Sequence, residues 1–114
     1  MTLQDIIDQL SLQVLTTPVD FTQLKPQCGY ASDLLSCVMA GAGAHGVWVT
    51  LQAHANIVAV AVLLELQAII ITEGAQPEAD VIKKANEEGI TLLATDQPTF
   101  TVVGKLWEMG LRES

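Results

Sequence analysis

Along the chain, the spacing of apolar residues alternates between the spacing typical of a helix and that typical of a strand. Near the start, apolar residues recur at i, i+3, i+4 and i+7 (Leu3, Ile6, Ile7, Leu10), which predicts an amphipathic helix over residues 2–10 with Thr2 as its N-cap. A brief strand is predicted over residues 13–16, because Thr17-Pro18 would stop it. Residues 19–30 are interpreted as a loop that contains a second short strand.

A second helix is predicted to begin at Ser32-Asp33 and to end at Gly41. Its apolar side is expected to consist of Leu34, Leu35, Val38 and Met39. The glycine-rich segment 41–46 that follows is predicted to be a flexible turn.

From residue 47 onward, short apolar runs alternate with longer helical segments. Strands are predicted over 47–50, 68–72 and 90–94, and helices over 57–66, 77–88 and 98–109. Pro77 suits the first turn of its helix, Glu78 and Asp80 suit the positive end, and Gly89 suits the end of the helix. The sequence therefore predicts an α/β fold of three layers, a mostly parallel sheet with helices on both faces, in a single domain over residues 1–114.

The net charge of −8 limits the classes of partner. The basic residues (Lys25, Lys83, Lys84, Lys105, Arg112) form no stripe that could neutralise phosphates, so no nucleic-acid binding is expected, and an anionic membrane surface would repel the chain. The most apolar stretch, 57–71, is interrupted by Glu65 and Gln67 and falls short of the roughly 20 residues that span a bilayer. Residues 1–10 do not form a secretory signal and cysteines are few, so a reducing, cytoplasmic compartment is expected.

Polar side chains follow three of the predicted strands. In parallel α/β sheets, ligands gather beyond the carboxyl ends of the strands, where helix N-termini offer free N–H groups. The candidate ligand contacts are Thr50, Gln52, His54, Asn56, Thr72, Gly74, Thr95 and Asp96. The same residue types are common helix caps and turn formers, so a purely structural role is the alternative.

Catalytic motifs are scarce in this sequence. Glu73 and Asp96 could form a general acid and base, but no activated nucleophile accompanies them. Neither a Gly-x-Ser-x-Gly motif nor a phosphate-binding glycine loop occurs. The chain is therefore expected to be no enzyme, to have no catalytic residues and to use no cofactor; a small enzyme that uses His54 with Glu73 or Asp96 is the alternative.

The two cysteines and two histidines are the residues that could form a metal site. Neighbouring members of the set Cys28, Cys37, His45 and His54 lie eight or nine positions apart, whereas structural zinc sites contain a close chelating pair. No metal site is therefore expected. Cys37 is predicted to be buried and inert, and a reactive Cys28 in a redox module is kept as an alternative.

The predicted helix over residues 56–66 is apolar nearly all round. A helix without a polar face is buried on more than one side. The second side is predicted to be a subunit interface of a homodimer, unless the helix is enclosed within one chain.

Three blocks of the sequence together carry a family likeness that extends over nearly the whole chain. They comprise residues 29–36 with 38–40, residues 47–52 with His54 and 56–61, and residues 71–74 through Pro77, 89–90 and Thr95 to Phe100. In these blocks the chain resembles the DRTGG domain family, and its stand-alone, single-domain members above all. Such proteins are similar to the N-terminal domain of the HPr serine kinase/phosphorylase.

The resemblance implies a non-catalytic regulatory, ligand-sensing or protein-interaction module that acts as a homodimer. Similar domains accompany CBS domains in nucleotide-responsive pyrophosphatases, which implies a nucleotide or another anionic metabolite as ligand, or else a protein partner. Stand-alone members tend to be encoded near hydrogenase and electron-transfer genes, which implies a link to that metabolism.

The chain departs from the family at its name-giving residues. The family's Asp-Arg pair is expected near Ala53-His54, and its Thr-Gly-Gly part corresponds to Thr72-Glu73-Gly74. A phosphate ligand would therefore lack the bidentate arginine donor. His54 would be a weaker, pH-dependent substitute.

Overall fold

The computed structural model describes all 114 residues and contains one five-stranded sheet. The strands are β1 (Gln13–Val14), β2 (Gly29–Ala31), β3 (Val47–Thr50), β4 (Ala68–Ile71) and β5 (Thr91–Ala94), and their spatial order is β1-β5-β4-β3-β2. The helices are α1 (Leu3–Leu10), α2 (Leu35–Gly41), α3 (Asn56–Leu63), α4 (Ala79–Glu88) and α5 (Thr99–Glu108), with a short 3₁₀ turn at Phe21–Gln23.

Strands β2 to β5 are parallel to one another, and β1 pairs with β5 in the antiparallel direction at one edge. Every residue of β3, β4 and β5 is buried, which explains why these strands show no polar alternation. The mostly parallel sheet predicted from the sequence is confirmed.

Successive residues of each strand point into two different cores. Val47 and Val49 of β3 pack with α1 and α5, whereas Trp48 packs with α2, α3 and α4 on the other face. The sheet is thus covered on both faces, and the three-layer α/β architecture is confirmed.

Helix α1 begins with the predicted cap. The Thr2 hydroxyl accepts a hydrogen bond from the backbone N–H of Asp5, and the Asp5 carboxylate accepts one from the backbone N–H of Thr2, which forms a capping box. This backbone hydrogen bond from Thr2 lowers the pKa of the exposed Asp5 carboxyl below its ordinary value.

The start of α4 and the end of α3 differ from the prediction, by two and three residues. Helix α4 begins at Ala79, so Pro77 lies in the extended approach to it and Glu78 is the N-cap residue. Helix α3 ends at Leu63, because Glu65 adopts the left-handed conformation (φ 56°) and the N–H of Leu66 bonds back to the carbonyl of Ala61. Residues 64–66 therefore form a turn that returns the chain to β4.

The start and the apolar side of α2 also differ from the prediction. The helix begins at Leu35, and neither Ser32 nor Asp33 caps it. Only Val38 of the predicted apolar side is buried, whereas Leu34 and Met39 are 61% and 48% exposed. The reason is that α2 contacts the edge strand β2 and helix α3, at the margin of the sheet, and buries only Val38 there. None of the helices is both long enough and apolar enough to cross a membrane.

Candidate functional site

The carboxyl ends of β3, β4 and β5 lie side by side, as the candidate site requires. The N–H of Thr72 donates to the carbonyl of Thr50 at 2.9 Å, and the N–H of Thr95 donates to the carbonyl of Ile71 at 3.0 Å. The three polar turns are therefore neighbours at one edge of the sheet. The structure places the candidate residues there, and their role as ligand contacts stays a prediction.

At the end of β3 the polar groups are already paired with one another. The fully buried Thr50 donates its hydroxyl hydrogen to Asp33 Oδ1 at 2.8 Å and accepts from the backbone N–H of Gln52 at 3.1 Å. The N–H of Leu51 also donates to Asp33 Oδ1 at 2.8 Å, and Gln52 Nε2 donates to the Asp33 carbonyl. Asp33 thus joins the loop after β2 to the end of β3, and these distant donors explain why it does not cap α2.

The turn after β4 is shaped by two left-handed residues, Glu73 (φ 62°) and Gly74 (φ 74°). The conformation of Gly74 disfavours any other residue, and a Cβ atom there would lie 3.3 Å from Asp96 Oδ1. Glu73 Oε2 accepts from the backbone N–H of Thr99 at 2.7 Å, which places a negative charge at the N-terminus of α5. The fully buried Thr72 shares a hydrogen bond with the Thr99 hydroxyl, so this turn fastens α5 to the sheet.

The turn after β5 depends on Gln97, which no sequence pattern indicates as important. Its backbone N–H and its Nε2 both donate to the Thr95 hydroxyl oxygen, at 3.2 and 3.0 Å, and Nε2 also donates to the carbonyl of Leu10. Lys105 Nζ donates to Gln97 Oε1 at 2.8 Å. Gln97 therefore connects β5 with α1 and α5, and Asp96 beside it is exposed.

Two separate cavities open at this edge of the sheet. One, called here the His54 cleft, has a volume of about 490 Å³ and is lined by Leu51, Gln52, Ala53, His54, Ala55, Gln76, Glu78, Asp80 and Val81. The other has a volume of about 290 Å³ and contains Thr95 and Asp96. Among the eight candidate residues, only Gln52 and His54 line the first cavity.

The His54 cleft carries two carboxylates and no lysine or arginine. His54 Nδ1 accepts from the backbone N–H of Asn56 at 3.4 Å, an arrangement that leaves Nε2 as the nitrogen free for a ligand. Glu78 and Asp80 disfavour a polyphosphate here, so the lining suits a neutral base or sugar better.

The catalytic alternative receives no support from this geometry. His54 lines a cleft that contains neither Glu73 nor Asp96, and the Glu73 carboxylate is used as a helix cap. The three side chains share no cavity in which a reacting atom could contact them together.

The prediction that Cys37 is buried is wrong, and the buried cysteine is Cys28. Cys37 is exposed on α2, because that helix buries only Val38, and Cys28 is 4% exposed. A Cβ atom at Gly43 or Gly46 would lie 2.9 Å from Cys28 Sγ, so the glycine-rich turn packs directly over this sulfur. No group of three or more His, Cys, Asp or Glu side chains is arranged to hold a metal ion.

Helices α2 and α3 form an apolar surface outside the core. This α2–α3 face is defined by the exposed apolar residues Leu34, Met39, Ala59, Val62 and Leu63; Ser36, Cys37, Ala40 and Asn56 of the same helices are exposed as well. No Asp, Glu, Lys or Arg occurs between Asp33 and Glu65, so the two helices contribute no formal charge to it. Helix α3 is therefore buried on its sheet side and both apolar and exposed on the other.

The sequence model of the DRTGG domain matches residues 46–109, more than half of the chain. The chain therefore belongs to the DRTGG domain family, and the resemblance is confirmed. Its first block, residues 29–40, lies outside the matched segment.

Among solved structures, the fold is similar to that of the CBS and DRTGG domains of the regulatory region of Clostridium perfringens pyrophosphatase, complexed with the activator diadenosine tetraphosphate. The TM-score is 0.74 at 20% sequence identity, which establishes the likeness of the folds. The similarity covers 90% of this chain and 44% of the other, so this chain spans less than half of its length. A comparison with the curated proteins finds no match.

Proposed function

We propose that this chain is a non-catalytic regulatory module that acts as a homodimer through its α2–α3 face. The observation that carries the proposal is an exposed apolar face without formal charge on a protein whose net charge is −8. Exposed apolar patches mark interaction sites. A second copy docked at this face meets no Asp, Glu, Lys or Arg of α2 or α3, so these helices add no charge repulsion to the contact.

The proposal extends the DRTGG-type domain to all 114 residues. Strand β2, outside the matched segment, pairs with β3 inside it, and β1 pairs with β5. Helix α1 shares a core with α5. These contacts support one domain over the whole chain. The resemblance to stand-alone family members supports a link to hydrogenase or electron-transfer metabolism, from which a protein partner would come.

Sedimentation velocity at micromolar concentration tests the proposed dimer. We expect a species of twice the chain mass that persists at high salt, because the face is apolar and carries no formal charge that salt could screen. A monomer under these conditions would contradict the proposal.

A second candidate function is nucleotide sensing in the His54 cleft. Ala53 and His54, near which the family's Asp-Arg pair is expected, line the cleft, and the similar pyrophosphatase structure is a complex with diadenosine tetraphosphate. Because its lining is acidic, we propose that it recognises the nucleoside part of such a ligand and leaves the phosphates outside.

Thermal shift measurements with adenosine, AMP and diadenosine tetraphosphate test this second function. A compound that binds only the folded state raises the melting temperature, and a ligand at 100 times its dissociation constant adds about 2.7 kcal/mol. We expect adenosine to stabilise the chain at least as well as AMP, because the phosphate of AMP would lie near the carboxylates of Glu78 and Asp80 and be repelled by them. His54→Ala should abolish the shift, whereas His45→Ala, at the opposite edge of the sheet, should preserve it. If none of the three compounds changes the melting temperature, the chain is not a sensor of this class.

A further inference from the structure

An apolar cavity opens on the face of the sheet that α1 and α5 cover. This cavity, called here the Arg112 cavity, has a volume of about 270 Å³. It lies between the edge strand β2, Val49 of β3, helix α5 and residues 111–113. Typical ligand pockets measure about 300–1,000 Å³, so this one suits a small molecule. None of the candidate residues at the carboxyl ends of the strands lines it.

The cavity exists because β2 has almost no side chains on this face. Ala31 is aligned with Val49 of β3, whose side chain lies in the core beneath α5, and Gly29 is the other β2 residue on that face. A glycine and an alanine leave the space between the edge of the sheet and α5 unfilled. The apolar side chains of Val49, Val103 and Leu106 line this space, so a ligand there would cover apolar surface.

The C-terminal segment holds the Arg112 side chain beside this cavity. Gly110 (φ 103°) turns the chain after α5, and the Arg112 carbonyl then accepts from the backbone N–H of Gly29 at 2.8 Å. The guanidinium carbon lies 4.1 Å from the centroid of the Trp107 ring. Arg112 Nη1 donates to the carbonyls of both Trp107 and Leu111. Stacking and two backbone acceptors therefore fix the orientation of the guanidinium group.

Arg112 has no acidic partner within the chain. The one salt bridge joins Lys84 and Glu88, although the sequence has 13 Asp and Glu residues and only five Lys and Arg. Glu113 lines the same cavity and does not pair with Arg112. Because both hydrogens of Nη1 are used, Nε and Nη2 keep three N–H donors. Two adjacent guanidinium nitrogens can bind a carboxylate through two parallel hydrogen bonds, so the free edge of Arg112 suits a carboxylate.

We propose that the Arg112 cavity binds a small apolar monocarboxylate. The carboxylate would lie on the Nε–Nη2 edge of Arg112, and the apolar part of the ligand would lie between β2 and α5. A mostly apolar pocket with a few convergent polar groups is the usual form of a small-molecule site. A single negative charge is favoured, because the net charge of −8 opposes the approach of a polyanion. The site is independent of the α2–α3 face, which lies on the other side of the sheet, and of the His54 cleft.

An NMR titration of the full chain with phenylacetate, and with phenylacetamide as a neutral compound of the same shape, tests the proposal. Phenylacetate should shift the indole N–H signal of Trp107 and the backbone signals of residues 29–31 and 111–113. The indole signal of Trp48, which is buried on the other face of the sheet, should not move. Phenylacetamide should bind at least about tenfold more weakly, because it forms no charge-assisted hydrogen bonds with Arg112. If phenylacetamide binds equally well, or if neither phenylacetate nor isovalerate moves the Trp107 signal at millimolar concentration, the proposal is wrong.

Two charge variants test the role of the guanidinium group. Arg112→Lys keeps the positive charge and removes the planar fork, so the affinity for phenylacetate should fall at least about tenfold. Glu113→Gln removes a negative charge from the lining of the cavity, so the affinity should rise or stay constant. A fall in affinity on Glu113→Gln would contradict an anion as the ligand.

Ala31→Leu tests the apolar part of the site without changing Arg112. Ala31 is exposed and lines the cavity, so a leucine there fills the space between β2 and α5. Phenylacetate binding should disappear, while the melting temperature without ligand should stay constant or rise, because the larger side chain covers apolar surface. If phenylacetate binds Ala31→Leu as well as it binds the unchanged chain, its site lies elsewhere and the proposal is overturned.

Discussion

Replacement of Leu63 by glutamate is expected to convert the proposed dimer into monomers while the domain remains folded. Leu63 is 64% exposed at the end of α3, so a charged side chain costs little in a single chain. In a two-fold symmetric interface the same surface patch of both copies is used, so the substitution would bury two glutamates in one interface. Burying unpaired charge costs several kcal/mol, and a loss of about 3 kcal/mol raises the dissociation constant more than 100-fold. Sedimentation velocity measures the change.

Phe100→Glu is the matched control for this experiment. Phe100 is 91% exposed, but it lies on α5, in the layer on the other face of the sheet. The substitution introduces the same charge in place of a large apolar residue, so it should leave the dimer intact. If Phe100→Glu dissociates the dimer and Leu63→Glu does not, the interface lies on the α5 side and the α2–α3 face is not the contact.

The layers of the fold could be predicted because they depend on local patterns. Buried strands β3 to β5 have continuous apolar runs, and α1 has a clear apolar stripe behind its Thr2 cap. Helix ends such as Gly89 could also be predicted from the sequence, because few residues other than glycine readily adopt the left-handed conformation found there.

Features that depend on partners distant in the chain could not be predicted. Asp33 has a short-range pattern that suits a helix cap, yet its carboxylate binds donors from the end of β3, 17 and 18 positions later. The burial of Cys28 and the exposure of Cys37 depend on which part of the sheet α2 covers. The apolar residues that surround Cys37 in the sequence do not determine which part of the sheet the helix covers.

The candidate site was predictable in its position and not in its internal connections. Parallel strands bring their carboxyl ends together, so Thr50, Thr72 and Thr95 had to be neighbours. The sequence does not indicate that Thr50 and Thr72 are fully buried, with hydroxyls bonded inside the protein. The three-dimensional structure is needed to show that His54 and Asp96 line two different cavities.

Replacement of Trp48 by alanine is expected to cause a large loss of stability, because Trp48 is the largest fully buried side chain of the protein. Trp48 is fully buried in the core beneath α2, α3 and α4, and its indole N–H donates to the carbonyl of Ser32 at 2.9 Å. The substitution leaves a cavity and removes that donor, which together cost about 3–5 kcal/mol. Since small domains are stable by about 5–15 kcal/mol, urea unfolding should show a much lower midpoint.

Trp107→Ala provides a comparison within the same chain, because Trp107 is the other tryptophan. Trp107 is 48% exposed and the centroid of its ring lies 4.1 Å from the Arg112 guanidinium carbon, a contact that contributes about 0.5–1 kcal/mol at exposed sites. The loss on Trp107→Ala should therefore be a small fraction of that on Trp48→Ala. Because Trp48 supports the layer that carries the α2–α3 face, Trp48→Ala should also weaken the dimer, whereas Trp107→Ala should not. Equal losses of stability in the two variants would contradict the assignment of Trp48 as the central residue of this core.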